Sequence, residues 1–248
     1  MRVTIITATY NSQETILDTI TSLEKQSFPD IEYIIVDGGS KDNTIKIISS
    51  VSTRVSKIIS EPDKGIYDAL NKGIKASSGD IIGFLHSDDL FAYNDAIKDL
   101  VDRFESTDVD AIYADLEYVS YSDVNKRIRF WKSGNYSRMK MKLGWMPPHP
   151  SFYMKRSCYV KFGGFSLKYR ISADYDSILR YVLKNKITIA YLPKILVKMR
   201  IGGISNRSFS SIIKKSKEDV IIMKENKLLW PLALFFKNLS KLPQFFKM

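Results

Sequence analysis

The chain has 248 residues, 44% of them apolar, and a formal net charge of +11. That length and apolar share let it build its own core, which excludes a disordered or fibrous chain. Cys158 is the one cysteine, which excludes a disulfide framework and a four-cysteine zinc site. It reads as a small buried hydrophobe. From the start, Arg2 to Thr7 is a β-branched run suited to a buried strand. A helix is predicted from about Gln13 to Gln26, with Ile16, Ile20 and Leu23 on one face and Ser12 as its cap. Strand Glu32–Val36 runs into Asp37-Gly38-Gly39-Ser40, and a helix follows over Asn43–Ser52. Lys57–Ser60 reads as a short strand, the segment after Gly65 to Lys75 as a helix, and Asp80–Leu85 as a strand ending at His86-Ser87-Asp88-Asp89. This alternation predicts an α/β sheet, largely parallel. Each polar cluster falls just past a strand's carboxyl end, the edge where open α/β sheets bind ligands.

The second half is less regular. A helix is expected over Tyr93–Phe104, then short strands at Ala111–Tyr113, Glu117–Ser120 and Arg127–Phe130. A loop with Gly144, Pro147, Pro148 and Pro150 leads to a strand at Phe152–Lys155. A helix is predicted at Asp174–Lys184 and a strand at Ile187–Tyr191. From Ser208 the chain reads as helical, broken near Trp230-Pro231 and at Pro243.

The charge is divided unevenly. Residues 1–120 carry 11 Lys+Arg and 21 Asp+Glu, a net of −10; residues 121–248 carry 27 and 6, a net of +21. An acidic half followed by a basic half implies two surfaces with different partners. The amino terminus lacks the charged and long apolar regions of a signal peptide, and no apolar run reaches the ~18–20 residues that span a bilayer. The expectation is a cytoplasmic protein with peripheral membrane contact.

Asp88-Asp89 is the sharpest chemical feature. Hard divalent cations take oxygen ligands, and Mg2+ is typically held by one or two carboxylates together with substrate phosphates. The same pair also suits a helix cap. Three more clusters lie at the same predicted edge: Thr7-Ala8-Thr9-Tyr10-Asn11; Asp37 through Thr44, whose glycines permit close backbone approach; and Glu61 through Asn71. In the order TATYN, DGGSKDNT, EPDKGIYDALNKG, GDIIGFLHSDD, these strings resemble family 2 glycosyltransferases of the GT-A fold over about residues 1–205.

That resemblance implies a nucleotide-sugar donor, usually a UDP-sugar, a divalent cation (Mn2+ or Mg2+) and transfer with inversion at the anomeric carbon. Position by position, Thr7, Ala8 and Tyr10 would line the nucleotide pocket, with Tyr10 near the base. Asp37 would face the uracil or ribose. Asp63, Lys64 and Gly65 would close over the nucleoside, with Asp68 supporting their loop. Asp89 resembles the metal ligand of the DXD-type motif, and Asp88 would contact ribose or metal. His86 stands where that motif has its first acidic residue. In the second half, the segments 148–153, 163–165 and 171–176 resemble acceptor-side motifs, in which Asp174 matches the catalytic base. Ala173 replaces the frequent Glu before it, and Asp176 is the fallback.

Independently of the family, a sugar hydroxyl needs a carboxylate to take its proton. Asp174 and Asp176 are the only acidic residues between Asp123 and Glu218. His149, between prolines, would reach the metal or diphosphate or serve a local hydrogen bond. Arg200 would assist a phosphate, and Gly202-Gly203-Ile204-Ser205 resembles a segment that closes over the donor. Residues 206–248 form a basic amphipathic tail behind a 1–205 catalytic domain, itself divided into a nucleotide-sugar half (1–120) and an acceptor half (121–205). The tail's lysines and aromatics suit an anionic membrane surface. With the family, that fits a lipid-diphosphate-linked glycan acceptor in bacterial O-antigen, capsule or exopolysaccharide assembly. Two alternatives remain. A sugar-nucleotide nucleotidyltransferase wants a Gly-rich phosphate loop, which TATYNSQET lacks. A nucleic-acid-binding protein wants a recognition motif, and none is present.

Overall fold

The β-branched runs become the middle of a nine-stranded sheet ordered β3-β2-β1-β4-β8-β6-β9-β5, with β7 paired to β6. In chain order the strands are β1 Val3–Thr9, β2 Ile31–Asp37, β3 Val55–Ser60, β4 Ile81–Phe84, β5 Leu90–Phe91, β6 Ala111–Val119, β7 Arg127–Trp131, β8 Phe152–Lys155 and β9 Ile189–Arg200. The helices are α1 Ile16–Glu24, α2 Thr44–Val51, α3 Ile66–Ala76, α4 Ala96–Thr107, α5 Arg138–Lys142, α6 Arg156–Phe162, α7 Ala173–Leu179, α8 Phe209–Glu225 and α9 Trp230–Leu239. The structure, a computed structural model, describes residues 1–202, 209–240 and 244. Gly203, Ile204, Ser205 and the expected break at Pro243 lie outside them.

Strands β3, β2, β1 and β4 run parallel. Strand β8 then enters antiparallel between β4 and β6, so the second half is mixed. Both faces of β1 are buried because helices cover each side. One core packs Ile5, Tyr33 and Ile35 against Ile16, Ile20 and Leu23 of α1, Ile48 of α2 and Leu100 of α4. The other packs Ile6, Ile34 and Phe84 against α3, α6, α7 and the C-terminal helices. Cys158 lies in this second core, as expected.

Several boundaries differ from the sequence reading, each for a local reason. Ser12 does not cap α1 with its side chain; its carbonyl accepts the Thr15 and Ile16 N–H groups instead. Strand β6 is one strand where two were expected. Asp115 accepts from Ser133 N–H and the Tyr191 hydroxyl, both at 2.7 Å, and Glu117 pairs with Arg127 at 2.6 Å, so both carboxylates are accommodated. Strand β9 continues past Pro193 to Arg200 because the register with β6 shifts there, and a bulge accommodates a residue without an N–H. The tail breaks near Trp230-Pro231 as expected: α8 ends at Glu225 and α9 starts at Trp230, with Pro231 in its first turn, where a missing N–H costs nothing. The helix from Ala173 ends as a wider π-helical turn over Arg180–Lys184.

Candidate active site

Because β1 to β4 are parallel, their carboxyl ends share one edge, and β6 and β9 end there too: Val119 pairs with Arg200. The Tyr10, Asp37, Asp63 and Asp88-Asp89 segments therefore meet. Asn11 pins two of the loops, with its N–H on Ser40 Oγ and its Oδ1 accepting from Lys41 N–H, both at 2.8 Å.

Tyr10 is exposed at the mouth of this edge, 61% accessible. Gly38 sits between it and Asp63: a Cβ there would lie 2.6 Å from Asp63 Oδ2 and 3.4 Å from Tyr10 Cδ2. A side chain would fill this space, so glycine keeps a narrow cleft open. The sequence reading gave the glycines of this segment tight turns and close backbone approach, without singling out Gly38. Asp63 Oδ1 accepts Gly65 N–H at 2.7 Å and Asp68 Oδ2 accepts Lys64 N–H at 3.0 Å, so both carboxylates shape the loop. Gly65 has φ +111°, which lets that loop turn into α3.

Two expected pocket residues serve the frame instead. Thr7 is fully buried, donating to the Leu85 carbonyl at 2.6 Å beside the Tyr33 hydroxyl, so it lies beneath the pocket rather than in its wall. The reason is strand alternation, which turns Ala8 and Tyr10 to the opposite face. Asp37 is also fully buried, its oxygens taken by Gly39 and Ser40 N–H groups and the hydroxyls of Ser40 and Ser60. It builds the loop and is not free to face a base. Ala8, 7% accessible, belongs to the core on the α3 side of the sheet.

Asp89 is fully buried, and among the described residues neither oxygen has a hydrogen-bond partner. Burial first, then the Asp88 charge, pushes its carboxyl well above the usual range, and the nearby Arg200 backbone N–H and charge only partly oppose this. A buried carboxylate left bare is costly unless a cation meets it. Arg200 does not meet it through its guanidinium. That group pairs with Asp18, donates to the Asp88 carbonyl at 3.1 Å and to the Tyr121 carbonyl at 3.2 Å. Arg200 thus braces the Asp88-Asp89 turn and is not open to a phosphate. The fit to a divalent cation is partial. The described residues hold no cluster of three or more His, Cys, Asp or Glu ligands. Asp89, with Asp88 beside it, offers the one- or two-carboxylate anchorage that substrate phosphates complete.

The rings of His86 and His149 lie near this pair, tilted to each other with centroids 5.8 Å apart. His86 Nδ1 and His149 Nε2 are buried and unpartnered among the described residues. Burial lowers both; His149 falls to about 3, with a smaller push from His86. Both imidazoles are neutral near pH 7 and each can present a ring nitrogen. Phe84 and Phe165 hold His149 at 5.1 and 5.3 Å.

Asp174 stands at the start of α7. The Tyr67 hydroxyl on α3 lies 3.3 Å from its Oδ1 and donates to the Ile171 carbonyl at 2.7 Å. Burial raises the Asp174 carboxyl, while Lys215 and Lys237 pull it down. Its charge is felt at His86, the residue two before Asp88. Asp176 turns away toward Arg180, at 4.0 Å, because residues two apart leave a helix in different directions. Tyr67 and Gly38 were missed as site residues, although both lay inside quoted motifs.

Residues 4–161 match the family model described as Glycosyl transferase family 2. The chain is 32% identical over 187 residues to an uncharacterized glycosyltransferase of Mycobacterium tuberculosis, covering 73% of this chain and 69% of that one. It is 25% identical over 207 residues to a PGL/p-HBAD biosynthesis glycosyltransferase of Mycobacterium bovis, covering 82% and 78%. Among solved structures, S. aureus TarS 1-349 in complex with UDP-GlcNAc aligns with TM-score 0.70 at 19% identity, over 90% of this chain and 65% of that one. The chain spans 39% of the longer TarS structure. Mannosyltransferase PcManGT from Pyrobaculum calidifontis, in complex with GDP-Man and Mn2+, aligns with TM-score 0.66 at 16% identity, over 96% and 73%.

The sheet, its switch from parallel to mixed, and the ligand edge define a GT-A glycosyltransferase. The chain belongs to glycosyl transferase family 2, and the nucleotidyltransferase and nucleic-acid readings are set aside.

Proposed function

We propose that this protein transfers a sugar, with inversion, from a UDP-sugar to a hydroxyl of a glycan acceptor carried on a lipid diphosphate, as in bacterial surface-polysaccharide assembly. The observation that carries the reading is the buried, unpaired Asp89 carboxylate at the strand edge that also holds the Tyr10–Gly38–Asp63 opening, with His86, beside Asp88-Asp89, within reach of the Asp174 charge. Tyr10 stacks on the base, while Asp63, Lys64 and Gly65, braced by Asp68, close over the nucleoside. Asp174 takes the acceptor hydroxyl's proton as that oxygen attacks the anomeric carbon opposite the leaving UDP. The bond from the anomeric carbon to the diphosphate oxygen breaks as the new glycosidic bond forms. His86 and His149 line the floor between donor and base. A divalent cation (Mn2+ or Mg2+), anchored by Asp89 with Asp88, would neutralise charge on the diphosphate.

The UDP reading is supported by the TarS complexes with UDP and UDP-GlcNAc and by the sequence motifs. The membrane reading is supported by the outer surface of α8 and α9. It exposes Leu229, Trp230, Leu232, Phe235 and Phe236, with Lys214, Lys217, Lys224 and Lys227 on the same segment. Among the described residues no helix is long and apolar enough to cross a membrane, so contact would be peripheral, at the inner face.

The test is calorimetric titration with UDP, with and without Mn2+, on the natural protein and Asp89→Ala. Metal-dependent binding that the substitution weakens about tenfold or more is expected. UDP binding that ignores both the metal and the substitution would refute the Asp89 assignment. No UDP binding in any condition would refute the UDP donor.

A further inference from the structure

Helix α8 reaches the segment just ahead of Asp174 with one carboxylate. Glu218 Oε1 accepts the Arg170 N–H at 3.0 Å, and its Oε2 accepts the Ile171 and Ser172 N–H groups at 3.0 and 2.9 Å. Charge-assisted bonds of this kind are stronger than neutral ones. Three successive amides are therefore fixed immediately before α7 begins. The Ile171 carbonyl in the same segment holds the Tyr67 hydroxyl, which in turn reaches Asp174. Two turns further along α8, Glu225 pairs with Lys168 and accepts from the Tyr169 hydroxyl at 2.6 Å. Beneath them, Asp219 and Lys237 form a buried pair at 2.9 Å that places the ammonium 3.3 Å from the centre of the Tyr175 ring.

We propose that Glu218 is a positioning residue for Asp174: it sets the start of α7, so that the C-terminal helices complete the catalytic end of the molecule. This rests on the reading of Asp174 as the base. The charged and titratable groups that feel or act on Asp174 are Tyr67 from α3, His86 from the β4 loop, Tyr118 from β6, Lys215 and Asp219 from α8 and Lys237 from α9. Glu218 acts on the backbone that carries Asp174, through no direct contact with the carboxyl. Small displacements of a reacting group lose large factors in rate, so such a brace matters even at a distance from the donor.

The test uses the full chain, comparing the natural protein with Glu218→Ala and the milder Glu218→Gln, whose amide oxygen keeps part of the clamp. Hydrogen exchange reads the amides of 170–172. Carboxyl 13C NMR, assigned with Asp174→Asn, reads the titration midpoint of Asp174, and UDP calorimetry reads the donor pocket. Expected are exchange at least about tenfold faster in Glu218→Ala, a midpoint moved by about half a pH unit or more, UDP affinity within about twofold, and Glu218→Gln in between. An Asp174 midpoint unchanged in both variants overturns the proposal, as does fast exchange of these amides in the natural protein. Should Glu218→Ala fail to fold, Glu218→Gln decides. Failure of the base reading looks different: UDP release from UDP-GlcNAc would proceed undiminished in Asp174→Asn.

Discussion

Asp174 is a carboxylate that the fold holds in a costly place. Burial favours its protonated form, and the nearby Lys215 and Lys237 only partly oppose this. Two consequences follow, with opposite signs. As the proposed base it must be ionised, so the acid limb of the transfer rate should lie above the ordinary carboxylate range. The rate should fall as pH drops through that raised value. Stability runs the other way: the folded chain binds this proton more tightly than the unfolded one, so stability falls as pH rises from the ordinary Asp value through the raised one. Asp174→Asn should therefore lose about 10²- to 10⁴-fold in kcat while gaining about 0.5–2 kcal/mol near neutral pH. Thermal melts across pH should show that gain shrinking on acidification. A variant that is inactive and also less stable at pH 7 would contradict this account. The acidic residues of the site were legible as residue types at given spacings. That Asp89 is bare while Asp37 is fully engaged was not legible, because hydrogen-bond partners such as Ser60 come from another strand.

At the scale of elements, α8 and α9 are tied to each other by a charge pair inside an apolar contact, and its ammonium reaches the Tyr175 ring of α7. Asp219 and Lys237 are 6% and 8% accessible, among Ile222, Met223 and Ala233. Gly144, at φ +86°, admits α9 closely: a Cβ there would sit 2.3 Å from the Ala233 carbonyl oxygen. Removing one member of the pair leaves the other buried and uncompensated, which typically costs about 3–5 kcal/mol. Asp219→Ala should lower stability by about that amount in urea melts. Replacing both residues with apolar ones of similar size should restore most of it. A loss below about 1 kcal/mol would mean that the pair is solvated. The helical character of this tail was legible from its pattern, whereas its docking against Gly144 was not. The contact joins residues some ninety positions apart and depends on a backbone conformation.

For the whole molecule, the charge division becomes spatial at the C-terminal helices. Their inner side packs on the α7 region, and their outer side presents aromatics and lysines together. The Lys224 ammonium lies 5.1 Å from the Trp230 ring. Such a surface should bind anionic bilayers through both burial and charge, at about 1 kcal/mol per surface lysine. We expect co-sedimentation with phosphatidylglycerol vesicles but not with phosphatidylcholine ones, weakened by high salt. Phe235→Ser with Phe236→Ser should weaken it further. Binding that ignores lipid charge, or survives loss of both aromatics, would refute membrane docking by this face.

The sequence by itself determined the α/β class, the four parallel strands of the first half, the order of the loop motifs and the acidic residue types at the ligand edge. These depend on local periodicity and on turn residues, which neighbours in the chain express. Only the tertiary structure decided that Thr7 and Asp37 serve the frame, that Arg200 braces the Asp88-Asp89 turn, and that β9 runs on through Pro193. It also decided that Glu218 holds the segment before Asp174. Each of these depends on which distant groups meet, as hydrogen-bond partners or as a neighbouring strand with its own register. That pairing is set only once the sheet and its covering helices have packed.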